Sequence, residues 1–169
     1  RTTLTVEDSV LNASTDTDDG RGIYIQDSNG TTTIDNTRIA NHNESGLNAT
    51  GANDTVLVTG SSTIEDNDES GVVVANGDNL DSTPTQPFDG FQLKINDSTT
   101  IVDNAVNGVT LDDGRVDLNL NETTIQNNTD GVHLVNASTG VRITQTTITG
   151  NNIGLNVTSI NNGTGYSAN

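Results

Sequence analysis

Thr123-Thr124-Ile125-Gln126-Asn127-Asn128-Thr129-Asp130-Gly131-Val132-His133-Leu134 is answered, 23 residues later, by Thr146-Thr147-Ile148-Thr149-Gly150-Asn151-Asn152-Ile153-Gly154-Leu155-Asn156-Val157. Each copy reads as a short β-branched strand, an Asn-rich turn and a Gly that opens a second alternating strand. The Gly strand recurs upstream as Gly22-Ile23-Tyr24-Ile25, Gly46-Leu47, Gly71-Val72-Val73-Val74 and Gly108-Val109-Thr110-Leu111. Successive glycines are 24, 25, 37, 23 and 23 residues apart. A period of that size means stacked supersecondary units, each burying its apolar side against the next.

Two further columns complete the unit. The Ile anchor recurs as Thr37-Arg38-Ile39, Ser62-Thr63-Ile64 and Thr99-Thr100-Ile101, ahead of the two copies above. A third run follows each Gly strand: Thr33-Ile34, Val56-Leu57-Val58, Phe91 to Ile95, Val116-Asp117-Leu118 and Val141-Arg142-Ile143. Alternation within each run sends one set of side chains inward and the other outward. The expected stack places Ile over Ile in the core. In one turn it places Asn over Asn, through Asn41, Asn67, Asn104, Asn127-Asn128 and Asn151-Asn152. About six such rungs, each adding ~4.8 Å, make a rod of roughly 30 Å. Residues 15–21 and 76–89, the latter with Pro84 and Pro87, break the period and read as insertions. Insertions of this kind loop out of a solenoid and mark a contact face.

Composition bounds the function. Only 30% of the 169 residues are hydrophobic, which on its own would suggest disorder, but these residues fall in alternating runs. With 6 basic against 23 acidic residues, the net charge of −17 repels nucleic acid and anionic membranes. There is no Cys, so there is neither a disulfide frame nor a thiolate metal site. No apolar run approaches the ~18 residues of a membrane-spanning helix.

The Ser/Thr-Thr-Ile…Asn…Gly-Val-x-Leu pattern resembles the right-handed parallel β-helix superfamily, the pectate-lyase-like fold. The resemblance covers nearly the whole chain. It implies an all-β solenoid of about six rungs of 23–25 residues with three short strands each. Residues 1–169 then form a single β-helix domain, expected to be a module of a longer protein. The superfamily holds polysaccharide lyases, glycoside hydrolases, viral tailspikes and non-catalytic surface proteins, so fold alone does not choose an activity. The composition, acidic, rich in Thr and Asn, without Cys and poor in Lys, also resembles cell-surface proteins of halophilic archaea.

Candidate sites are weighed residue by residue. Eleven Asn-x-Ser/Thr sequons begin at Asn12, Asn29, Asn43, Asn48, Asn53, Asn96, Asn121, Asn127, Asn136, Asn156 and Asn162. They are expected mostly in turns, where a glycan stands in solvent. Asp16, Asp18 and Asp19 partly resemble a calcium loop, although two of the acids are adjacent and no Glu closes it. A weaker candidate is Asn76-Gly77-Asp78-Asn79-Leu80-Asp81. Asp112-Asp113 suggests a hydrolase carboxylate pair, but it reads more simply as surface acids in a turn. The Gly-His-Gly and Arg-x-Lys motifs of β-helix hydrolases are absent, and no acid cluster aligns with Arg115 or Arg142 as a lyase base would need. His133 is expected to face outward in the column of Tyr24. His42 is expected at the surface of an Asn-rich turn.

The sequence therefore favours a non-catalytic extracellular β-solenoid, a rigid glycosylated module of a surface layer, adhesin, filament or virion fibre. Its expected partners are other copies of itself, surface proteins or surface glycans. No cofactor other than calcium is suggested. The competing expectation is a carbohydrate-active enzyme, a lyase or hydrolase, with a cleft along one face. The scarcity of aromatic residues, 2 Tyr, 2 Phe and no Trp, counts against such a cleft.

Overall fold

The computed structural model describes residues 3–13, 20–26, 30–50, 55–75 and 91–158, with the backbone alone for 113–115 and 136–139. The two expected insertions and Asp16, Asp18 and Asp19 fall almost wholly outside these residues.

Every described pairing between strands is parallel, and each strand pairs with its counterpart one rung away. Three stacks result. The first, sheet one, holds the Gly strands: β3 (Ile23–Gln26), β6 (Leu47–Thr50), β9 (Val72–Ala75), the front halves of β12 (Asn107–Asn121) and β14 (Asp130–Thr144), and β16 (Ile153–Val157). Sheet two holds β1 (Thr3–Glu7), β4 (Thr31–Asp35), β7 (Thr55–Thr59), β10 (Phe91–Ile95) and the back halves of β12 and β14. Sheet three holds the Ile strands: β2 (Val10–Asn12), β5 (Arg38–Ala40), β8 (Thr63–Glu65), β11 (Thr100–Val102), β13 (Thr124–Gln126) and β15 (Thr147–Thr149). Each stack has six layers, as the sequence period requires.

One detail departs from three short strands per rung. β12 and β14 each run 15 residues and carry sheet one into sheet two without a break. The two connections, around Gly114 and Ala137, match in length, so ladder pairing continues through the corner as Asp112↔Val135, Gly114↔Ala137 and Arg115↔Ser138. Asp112 therefore sits exposed in a strand and not in a turn.

The core is a set of straight columns. Ile39, Ile64, Ile101 and Ile125 lie one above another in sheet three and are fully buried. Val72, Val109 and Val132 do the same in sheet one. Phe91, Leu93 and Ile95 of sheet two are buried as well. Gly22, Gly46, Gly71, Gly108 and Gly131, which open the first five sheet-one strands, are needed for room. A Cβ on Gly108 would lie 2.5 Å from the Ile125 γ2 methyl and 2.6 Å from the Gly131 carbonyl oxygen. The corners bend through left-handed residues, at Asn36, Ser61 and Glu122 before sheet three and at Asn41, Asp66, Asp103 and Asn127 after it. Asn and Asp adopt this conformation more readily than other residues with a Cβ, which explains their abundance there.

Candidate functional site

The Asn column is an internal ladder. Asn67 Nδ2 donates to Asn104 Oδ1 (2.8 Å), Asn104 Nδ2 to Asn128 Oδ1 (3.1 Å), and Asn128 Nδ2 to Asn151 Oδ1 (3.1 Å). Each Oδ1 also accepts a backbone N–H from the rung before. Asn67, Asn104 and Asn128 are buried. The ladder position is three residues after the Ile anchor, so the residue that belongs to it in the Ile39 rung is His42, and Asn41 is exposed beside it. This corrects the expectation of His42 as a surface residue: it is 8% exposed. Its backbone N–H donates to Asn67 Oδ1 (3.1 Å), and its Nε2 lies 3.3 Å from the Leu11 carbonyl oxygen. That oxygen can only accept, so Nε2 carries the proton and the ring imitates an Asn amide.

A second polar cluster lies on the outer face of sheet one. Its members are Ser70, Asn107 and Asp130 from the column before the glycines, and Thr110, His133 and Asn156 from the next outward column. His133 faces outward between buried Val132 and Leu134, as expected, and shares the column of exposed Tyr24. It is, however, enclosed by neighbours, with its side chain 23% exposed. Asp130 is buried, and Asn156 Nδ2 donates to its Oδ2 (2.7 Å). His133 Nδ1 lies 3.8 Å from the same oxygen, and His133 Nε2 lies 2.7 Å from the Thr158 hydroxyl.

A carboxylate, an imidazole and a hydroxyl in this order would suggest an activated nucleophile. The hydrogen bonds around Asn107 point the other way. The backbone N–H of Asp130 can only donate, and it donates to Asn107 Oδ1 (3.3 Å). The Asn107 amide nitrogen therefore faces Thr110 Oγ1 (3.0 Å) and His133 Nδ1 (3.3 Å). It donates to Nδ1, which leaves the imidazole proton on Nε2. With that tautomer Nε2 donates to the Thr158 hydroxyl. Ser70, Thr110, Asn107, His133, Asp130 and Asn156 are thus linked across neighbouring rungs.

The remaining expectations are placed as follows. Of the sequons, Asn29, Asn53 and Asn162 lie outside the described residues, as does the Asn136 side chain. Among the eight whose backbone is described, Asn12, Asn48, Asn121, Asn136 and Asn156 fall within strands, and Asn43, Asn96 and Asn127 between them. Asn12, Asn43 and Asn127 are exposed. Asn48 stands apart. It is 9% exposed in β6 between Tyr24 and Val73, its Oδ1 is buried without a partner, and a glycan has no room there while the strand is paired. Among the described residues, no group of three or more His, Asp or Glu is placed to share a metal ion. The described cations near the first rungs are paired: Arg21 with Glu44 (2.9 Å) and Arg38 with Glu65 (2.6 Å). Arg21 also lies over the Tyr24 ring.

No curated protein and no solved structure gives a significant match to the chain. The family model described as a right-handed β-helix region matches residues 2–167. With stacked parallel strands, inward Ile columns and an Asn ladder among its described residues, the chain belongs to the right-handed β-helix family.

Proposed function

We propose that this chain is a non-catalytic, rigid spacer module of an extracellular surface assembly. The observation that carries the reading is the direction of the hydrogen bonds at His133. Asn107 donates into Nδ1, so the one imidazole on the sheet-one face acts as a strut between rungs and not as a base. The Asn ladder supports the same reading, because it binds successive rungs into one stiff column. The sides then offer two things: an acidic, well-hydrated surface, and the exposed sequons at Asn12, Asn43 and Asn127 as glycan carriers. An outer cell or virion surface is where such a module works, with other copies, surface proteins or surface glycans as its contacts.

Two measurements test this. Incubation with neutral and acidic polysaccharides should yield no new reducing ends and no unsaturated products. Cleavage that is lost in His133→Ala would overturn the spacer reading in favour of a carbohydrate-active enzyme. Glycopeptide mass spectrometry of native material should find glycans at Asn12, Asn43 or Asn127 and none at Asn48. Unmodified peptides at all of them would remove the glycan part.

A further inference from the structure

His133 sits between two partners that ask different things of its Nδ1. On one side is the Asn107 amide nitrogen of β12, 3.3 Å away, which donates to it. On the other is Asp130 Oδ2, 3.8 Å away on the ring's own strand. A carboxylate oxygen only accepts, so it gains nothing from a bare Nδ1. Asp130 is nevertheless buried on the outer face of sheet one. Taking a carboxylate out of water is unfavourable unless donors or a cation face it, and the donor that meets Oδ2 is Asn156 Nδ2 (2.7 Å).

The described charges around the ring are all of one sign. Asp130 faces it from β14. In β12 its ladder partner is Thr110, and exposed Asp112 lies diagonal to it, two residues further along. In β16 its partner is Asn156, and that strand carries no charge. β9, β16 and the front halves of β12 and β14 contain no Lys or Arg. The proton that an imidazole takes up at about pH 6.5 in water is therefore the one positive charge these strands can acquire on this face.

Adding that proton inverts the hydrogen bonding at one atom. An imidazolium donates from both nitrogens. Nε2–H keeps the Thr158 hydroxyl, 2.7 Å away, as its acceptor. Nδ1–H meets the Asn107 amide nitrogen, donor against donor. The amide cannot simply turn over, because its Oδ1 holds the backbone N–H of Asp130 (3.3 Å) and its Nδ2 holds Thr110 Oγ1 (3.0 Å). The acceptor beside Nδ1–H is Asp130 Oδ2, and a shift of about 1 Å brings the pair to the length of a charge-assisted hydrogen bond.

We propose that His133 is a proton-operated latch between rungs. Neutral, it ties β14 to β12 through Asn107. Protonated, it lets go of Asn107 and closes on Asp130 within its own strand, so an inter-rung link is exchanged for a local ion pair. The sheet-one face is pinned across these two rungs at neutral pH and released in mild acid. The latch rests on the same His133 tautomer as the spacer reading.

The test is nitrogen-15 and carbon-13 NMR of the 169-residue chain from pH 8 to pH 5, with His42→Asn used to tell the two rings apart. Expected at pH 8 is a bare Nδ1 and a protonated Nε2 on His133. As the ring titrates, the Asn107 amide signals and the Asp130 carboxylate carbon should shift with the same midpoint. Asp130→Asn should move the midpoint to lower pH, because the partner of the imidazolium is lost. Asn107→Ser, which places there the residue that Ser70 already supplies to this column, should move it to higher pH, because the donor that holds the neutral ring is lost. Circular dichroism verifies that both variants fold. A purely structural site does not produce opposite shifts. Asn107 signals that ignore the titration of His133 overturn the latch and leave the spacer reading standing, and so do midpoints that move the same way in both variants. A protonated Nδ1 at pH 8 overturns the latch together with the hydrogen-bond direction on which the spacer reading stands.

Discussion

At the scale of the residue, the fold depends on side chains that have no freedom to vary. Asn104 is the clearest. It is 2% exposed, donates to Asn128 Oδ1, Ile64 O and Val102 O, and accepts from the Asn67 amide. Asn104→Ala strands several buried partners at once and should cost about 2–3 kcal/mol, measured by denaturant unfolding. The glycine column provides a built-in control. Gly108→Ala forces a Cβ to within 2.5 Å of Ile125, with backbone on its other side, and should destabilise by about 1–3 kcal/mol or more. Gly154 is in the same column of the last rung, where the nearest atom would be 3.7 Å away. Gly154→Ala should fall within about 0.5 kcal/mol of wild type. Equal effects at the two sites would mean that the glycines serve the turn and not the packing. The sequence revealed the Asn column but not all its members. His42 was hidden because an imidazole does not look like an amide until its Nε2 meets a carbonyl, and only counting from Ile39 places it in register. The His133 cluster was hidden for a different reason. Its members are up to three rungs apart in sequence and meet only on the outer face, so spacing alone carries no signal of their hydrogen bonds.

At the scale of the element, the Ile strands of sheet three were legible because β-branched residues alternate there in three-residue pieces bounded by polar turns. What the sequence did not separate was the corner between sheets one and two. Asp112-Asp113-Gly114-Arg115 has the composition of a turn, yet Asp112, Gly114 and Arg115 pair with the next rung and β12 extends through the bend. Matched connector length decided that outcome, and composition does not report it. The same stacking makes position along the rod an energetic variable, because each layer leans only on its neighbours. Ile101 is fully buried between Ile64 and Ile125, whereas Ile148 is only partly buried and, among the described residues, has a layer on one side. Ile101→Ala should cost about 3–4 kcal/mol and Ile148→Ala about half of that or less, in the same denaturant titration at dilute protein. A uniform cost along the column would show that the terminal layer is packed as tightly as the interior.

At the scale of the whole molecule, charge is the quantity that the core does not set. The fold buries apolar columns, and among the described residues every acid except Asp130 stays out of the interior; the chain as a whole carries 23 acidic against 6 basic residues. Two of those cations, Arg21 and Arg38, are already committed to Glu44 and Glu65. The remaining acids repel one another along a narrow rod, and unfolding lets them move apart, so repulsion destabilises the folded state. The range of that repulsion is about 10 Å at 0.1 M salt and about 3 Å at 1 M, compared with ~4.8 Å between rungs. At 0.1 M a carboxylate feels neighbours one and two rungs away; at 1 M it feels almost none. The melting temperature should therefore rise by several degrees between 0.05 M and 1 M NaCl, at a protein concentration low enough to keep the chain monomeric. Screening saturates once the range falls below one rung, so most of the rise should come early in the titration. Salting-out would instead strengthen steadily into the molar range and be stronger with sulfate than with chloride at equal ionic strength. A curve that is flat, or that rises only above 1 M and tracks the anion, would show that self-repulsion is not what limits this rod.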